Sequence, residues 1–161
     1  MARTDQLLQG EFRRLMDDRY RLSIPSSLAD PLTTAGPECI AVKERPGAIS
    51  LWSAGSWETR LDAGLQVVRE KIQAGRLEGK IDQVQQLGRL LSTRQRSVQL
   101  AGRGRLLIPE GFREFLGVEP GGEVIVIGAA VCVELWQPTS WLDCLQVQIP
   151  QFRELFDDLS G

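Results

Sequence analysis

Asp17 and Arg21 stand four residues apart in the stretch Asp17-Asp18-Arg19-Tyr20-Arg21. A carboxylate at that spacing from a guanidinium suits either a structural ion pair or an arginine oriented toward an anionic partner. Arg13, Arg14 and Arg19 flank the pair, and Arg103 and Arg105 recur in a similar stretch later in the chain. Other chemistry is hard to build. The sequence has no histidine, so the usual general base near neutral pH and the commonest metal ligand are missing. Cys39, Cys132 and Cys144 are odd in number and form no C-x-x-C, which predicts reduced, mostly buried thiols rather than disulfides or a zinc site. Gly102-Arg103-Gly104-Arg105 lacks the length and the Lys-Ser/Thr ending of a phosphate-binding P-loop. The expectation is a protein that is not an enzyme and uses no cofactor or metal.

The net charge of −2 argues mildly against a nucleic-acid partner, but the charges are unevenly placed. Arg60 to Arg105 contains ten Lys/Arg against four Asp/Glu, whereas Leu106 to Gly161 contains two against nine. Such a split suits a basic face for an anionic partner, self-association of opposite faces, or merely a pair of solvated basic helices. No apolar run approaches the roughly 18 residues of a membrane helix, so no membrane partner is expected. The opening Met1-Ala2-Arg3-Thr4-Asp5 leads into a polar stretch without a signal-peptide core, which predicts a cytoplasmic protein.

An internal repeat organises the 161 residues. At a constant offset of 84, Arg19-Tyr20-Arg21-Leu22-Ser23-Ile24-Pro25 meets Arg103-Gly104-Arg105-Leu106-Leu107-Ile108-Pro109. Without a gap, Leu51-Trp52 then meets Leu135-Trp136, and Ser56-Trp57 meets Ser140-Trp141. Four tryptophans falling into two pairs at one offset indicate duplication of a unit of about 45 to 50 residues.

Each copy predicts the same elements. A short alternating strand (Arg21 to Ile24, Arg105 to Ile108) ends at a proline that suits the first turn of a helix. In the second copy that helix is expected over Glu110 to Leu116, with Gly117 to stop it. Turn signals lead into β-branched runs, Ile40 to Lys43 and Val124 to Ile127, each returned by a tight turn into a last strand ending at Trp52 or Trp136. The spacing of Leu61, Leu65, Val68 and Ile72 predicts an amphipathic helix, and Ile81 to Arg94 a second one, with Gly75 and Gly79 between them. Phe152 to Phe156 predicts a further short amphipathic helix. A unit this small cannot close a core alone, so the two copies are expected to pair.

These residues resemble the MraZ family, whose chains carry two SpoVT-AbrB-type units. Gly10 stands seven residues before Asp17, as in the family's opening pattern, with Met16 in place of its leucine. Asp17 to Pro25 is similar to the family's Asp-x-Lys-Gly-Arg-Leu-x-Ile-Pro, and Gly102 to Pro109 to its second copy. Glu134-Leu135-Trp136 followed by Trp141, and Arg89-Leu90-Leu91 before the second copy, fit as well. Tyr20 replaces the glycine of the first motif, where a positive φ is wanted, and Ala101 stands where the second motif has Asp.

The resemblance implies a mainly β, α+β fold: a tandem swapped-hairpin β-barrel pseudo-dimer with a helical connector and a C-terminal helix. It divides the chain into a first unit at 11–58, a connector at 59–94, a second unit at 95–138 and a C-terminal helical segment at 139–161. It further implies a homo-oligomeric ring binding double-stranded DNA at promoter repeats, associated with the nucleoid and repressing cell-division and cell-wall genes.

On that basis Arg21 is the first candidate for DNA contact, since its guanidinium can fork onto a phosphate or onto guanine O6 and N7. Asp17 is assigned to orienting Arg21 or a backbone turn. Arg13, Arg14 and Arg19 are further candidates, Arg3 could act from a flexible arm, and Arg103 and Arg105 supply the second copy or an interface between chains. A structural salt bridge remains the alternative for Asp17 and Arg21. Trp52, Trp57, Trp136 and Trp141 could be stacking platforms for single strands, but their repeat positions favour packing. Two other functions stay open: an oligomeric scaffold that binds no DNA, favoured by the acidic total, Tyr20 and Ala101, and an AbrB-type antitoxin, disfavoured by the duplication.

Overall fold

The computed structural model describes residues 7–161. Arg3, the candidate flexible arm, lies outside them. Eight strands form one antiparallel sheet that curls into a nearly closed barrel. The first copy contributes β1 (Glu11–Leu15), β2 (Arg21–Ser23), β3 (Glu38–Arg45) and β4 (Ala48–Ser53). The second contributes β5 (Gln95–Ala101), β6 (Arg105–Leu107), β7 (Glu123–Gly128) and β8 (Val133–Trp136). The spatial order is β1-β7-β8-β4-β3-β5-β6-β2. Each copy therefore lends its first strand to the other's hairpin: β1 pairs with β7, and β5 pairs with β3. This is the swapped arrangement expected of two copies that cannot bury a core singly.

The register reveals a pseudo-two-fold axis. Leu22 lies opposite Leu106 in the β2–β6 pair, and Ser50 lies opposite Glu134 in the β4–β8 pair. Both pairs are repeat mates at the offset of 84, so the axis runs through both. The core obeys it too. Leu22 and Leu106, Ile24 and Ile108, and Leu32 and Leu116 are all buried mates. Burying a side chain of this size stabilises by about 1.5–3 kcal/mol, so one pattern repeated twice builds one shared core. The indoles follow the same rule. Trp52 Nε1 donates to Ser50 Oγ and Trp136 Nε1 to Glu134 Oε1, both at 2.9 Å. Trp52 packs on Trp57 and Trp136 on Trp141, with centroids 5.6 and 5.3 Å apart. Trp52 and Trp136 are buried, so they are packing residues and not exposed stacking platforms.

Among the described residues, six α-helices complete the fold. α1 (Ser26–Leu32) follows Pro25, whose φ of −54° suits a helix start. The helix expected over Glu110 to Leu116 shortens to α4 (Arg113–Leu116), because Gly111 adopts φ +84°. Gly117 ends it in the left-handed conformation, as expected. The connector forms α2 (Ala54–Gln73) and α3 (Ile81–Thr93). No residue of α3 is fully buried, and Ile72, Ile81 and Leu90 stay about half exposed. α5 (Pro138–Gln148) and α6 (Phe152–Ser160) close the chain. Cys39 and Cys132 are buried and Cys144 is half-buried. Burial pushes the Cys39 thiol up to about 11. Among the described residues no helix is long and apolar enough to cross a membrane.

Candidate nucleic-acid interface

β1 and β2 are joined by a turn that Asp17 organises from within. The Asp17 N–H donates to the Arg21 carbonyl at 3.0 Å, and the Asp17 carbonyl accepts from the Tyr20 N–H at 3.2 Å. Its carboxylate accepts three bonds. Oδ1 takes the backbone N–H of Arg19 and that of Arg21, each at 2.8 Å, and Oδ2 takes Arg21 Nε at 2.9 Å. The Arg21 N–H above all holds the carboxyl below its ordinary range, against partial desolvation, with help from the Arg19 N–H and the Arg21 guanidinium. Both side chains are well exposed, and pairs of this kind add little stability. What the pair supplies is direction. Nε is tied back, and neither terminal guanidinium nitrogen has a hydrogen-bond partner among the described residues, so both remain available to an anionic partner.

The pseudo-axis places Arg105 beside this corner. Arg105 pairs with Ser23 across β2–β6, and together with Leu15, Asp17, Arg21 and Ser23 it borders a shallow groove. Ala101, the mate of Asp17, faces Arg105 in the β5–β6 pair and offers it no carboxylate. The Arg105 side chain is exposed and makes no ion pair among the described residues. The groove thus carries two arginines, one tethered and one untethered.

The remaining candidates scatter. Arg19 is exposed in the turn beside the groove. Arg13 points to the same face of β1 as Leu15 and is ion-paired with Glu123 on β7. Arg14 points to the opposite face, its guanidinium 5.7 Å from the Phe12 ring centroid. Arg103 has φ +67° and borders a different cleft, with Asp30 and Thr33. One participant escaped the sequence reading. Arg113, counted there only as part of a helix, lies 4.3 Å over the Tyr20 ring at the foot of the turn. Its sequence position holds no hint of this, because the contact joins the two copies. Among the described residues no group of three or more His, Cys, Asp or Glu could hold a metal ion.

A family described as "MraZ protein, putative antitoxin-like" matches residues 93–157. A protein of Methylobacillus flagellatus is 31% identical over 157 residues, 96% of this chain and 98% of its own. One from Syntrophomonas wolfei is 23% identical over 150 residues, covering 93% and 94% of the two chains. One from Roseiflexus castenholzii is 27% identical over 136 residues, covering 84% and 85%. All three bear the name "Transcriptional regulator MraZ", which is a regulator's name and not an enzyme's. A duplicated sequence, a barrel whose copies exchange strands, and near end-to-end similarity to these relatives together show that the chain belongs to the MraZ family.

Proposed function

We propose that this protein is a sequence-specific, double-stranded DNA-binding transcription regulator. It acts as a repressor of cell-division and cell-wall genes, working in the cytoplasm at the nucleoid. The observation that carries this reading is the groove at the pseudo-axis, where Asp17 holds Arg21 by Nε, leaving its terminal nitrogens unengaged, and Arg105 shares the lining. Arg21 takes a phosphate or a guanine edge, and Arg19 and Arg105 add phosphate contacts. Arg13, Arg14 and Arg103, which lie off the groove, contribute on its flanks or between chains. An acidic total does not oppose this, because the field at the contact face decides binding.

Units at 11–58 and 95–138, a connector at 59–94 and a C-terminal segment at 139–161 serve this design. The copies form the DNA-binding body, and the helices assemble chains into a homo-oligomeric ring. Support for assembly comes from α6, which leaves Phe152, Leu155, Phe156 and Leu159 exposed. Several weak sites on one ring multiply affinity for tandem promoter repeats whose spacing they match. Anisotropy with DNA from upstream of the gene, against a scrambled duplex at two salt concentrations, tests the reading. Specific, salt-sensitive binding is expected, largely lost in Arg21→Ala while its oligomer size stays the same. Equal affinity for both duplexes at low salt refutes regulation at that promoter and favours a scaffold without DNA binding.

A further inference from the structure

The two corners of the barrel have diverged. At the second corner, Gly104 has φ +70°, and a Cβ there would lie 2.3 Å from the Ile24 carbonyl oxygen and 3.3 Å from the Ala29 Cβ. The Gly104 carbonyl accepts from the Ile24 N–H at 2.8 Å. At the first corner each of these residues has its mate. Tyr20 takes the place of Gly104, with φ +60°, and its carbonyl accepts from the Ile108 N–H at 2.9 Å. Arg113 takes the place of Ala29. Its guanidinium lies over the Tyr20 ring at 4.3 Å, and its Nε donates to the Ile108 carbonyl at 2.8 Å. A large pair thus fills at one corner what a small pair leaves as an open cleft, bordered by Ala29 and Gly104, at the other.

A tyrosine is a strained occupant of the left-handed region, and such a residue persists only where its surroundings hold it. Here the holder is a closed circuit. Arg113 Nε grips the Ile108 carbonyl, the Ile108 N–H grips the Tyr20 carbonyl, and the guanidinium covers the ring. Tyr20 is also the residue whose N–H closes the Asp17 turn, one position before Arg21. We infer that Arg113, from the second copy, is a positioning residue for the first copy's Arg21, acting through Tyr20, so that the two corners meet DNA unequally. This rests on the DNA-binding role of Arg21 proposed above.

The coupling predicts a rescue. Arg113→Ala is expected to weaken binding to the upstream duplex roughly tenfold. Tyr20→Gly needs no clamp, so Tyr20→Gly/Arg113→Ala is expected to bind within about twofold of Tyr20→Gly alone. Hydrogen exchange of the Arg19 and Arg21 amides, which donate to Asp17, gives a readout without DNA. Exchange should quicken on Arg113→Ala and return toward wild type in the double variant. An equal loss of affinity in both backgrounds makes Arg113 a direct contact and overturns the inference. Unchanged amide exchange in Arg113→Ala overturns it as well. If wild type shows no preference for the duplex while exchange follows the expected pattern, the clamp stands and the DNA reading fails.

Discussion

Gly104→Ala measures how far the two corners differ. Three costs add. An alanine at φ +70° pays the left-handed penalty of about 1–2 kcal/mol. Its Cβ would lie 2.3 Å from the Ile24 carbonyl oxygen, a backbone atom that must retreat by about 1 Å to reach contact distance. That retreat stretches the 2.8 Å bond from the Ile24 N–H to the Gly104 carbonyl, worth about 0.5–1.5 kcal/mol, and disturbs a fully buried Ile24. Together with the displacement of Ile24 these amount to roughly 2–4 kcal/mol. The mate substitution, Tyr20→Ala, starts from a corner that already accommodates a Cβ. It loses the Arg113–ring contact, about 1 kcal/mol for a half-buried cation–π pair, and part of the ring's packing against the core. For a chain of this length the first change should lower the melting temperature by about 10 °C and the second by only a few degrees. Tryptophan fluorescence melts at one fixed protein concentration read both, since assembly makes the midpoint depend on concentration. Equal shifts for the two variants, or a Gly104→Ala loss under about 1 kcal/mol, would refute the account of the asymmetric corners.

Other consequences are open to direct measurement. Arg21→Ala and Arg105→Ala should each reduce the slope of log affinity against log salt by about one in binding assays across a salt series. The lowered Asp17 pKa means that its contribution to stability is complete above the ordinary value of 3.8 and is lost as pH falls through the folded value. Asp17→Asn should therefore flatten the acid limb of a stability–pH profile and leave its neutral region nearly parallel to wild type. Phe152→Ser/Phe156→Ser removes two stacked, exposed rings from α6 and is expected to shrink the assembly in light scattering without lowering helix content.

The linear sequence determined much of this protein. The offset of 84 announced the duplication, and the proline after each short strand, the glycine at 117 and the two Trp pairs fell where the repeat put them. Such features rest on local backbone preference and on rare residue types, both readable without a partner. Two strands, β1 and β5, were not legible. Glu11-Phe12-Arg13-Arg14-Leu15 and Gln95 to Ala101 are rich in polar residues, and only pairing with a hairpin of the other copy makes them strands. Asp17 and Arg21 could be singled out from spacing, with an ion pair and an anion contact both open. The structure shows the tether and also leaves the terminal nitrogens unengaged, because Nε alone is bonded. Tyr20 looked like a departure at a glycine position, and its φ of +60° shows that the backbone demand was real. What supports it, Arg113, comes from the opposite copy, and the groove joining Arg21 to Arg105 exists only where the pseudo-axis brings β2 and β6 together. Local chemistry is written along the chain, but contacts across an axis between two copies are set by packing, which no local pattern encodes.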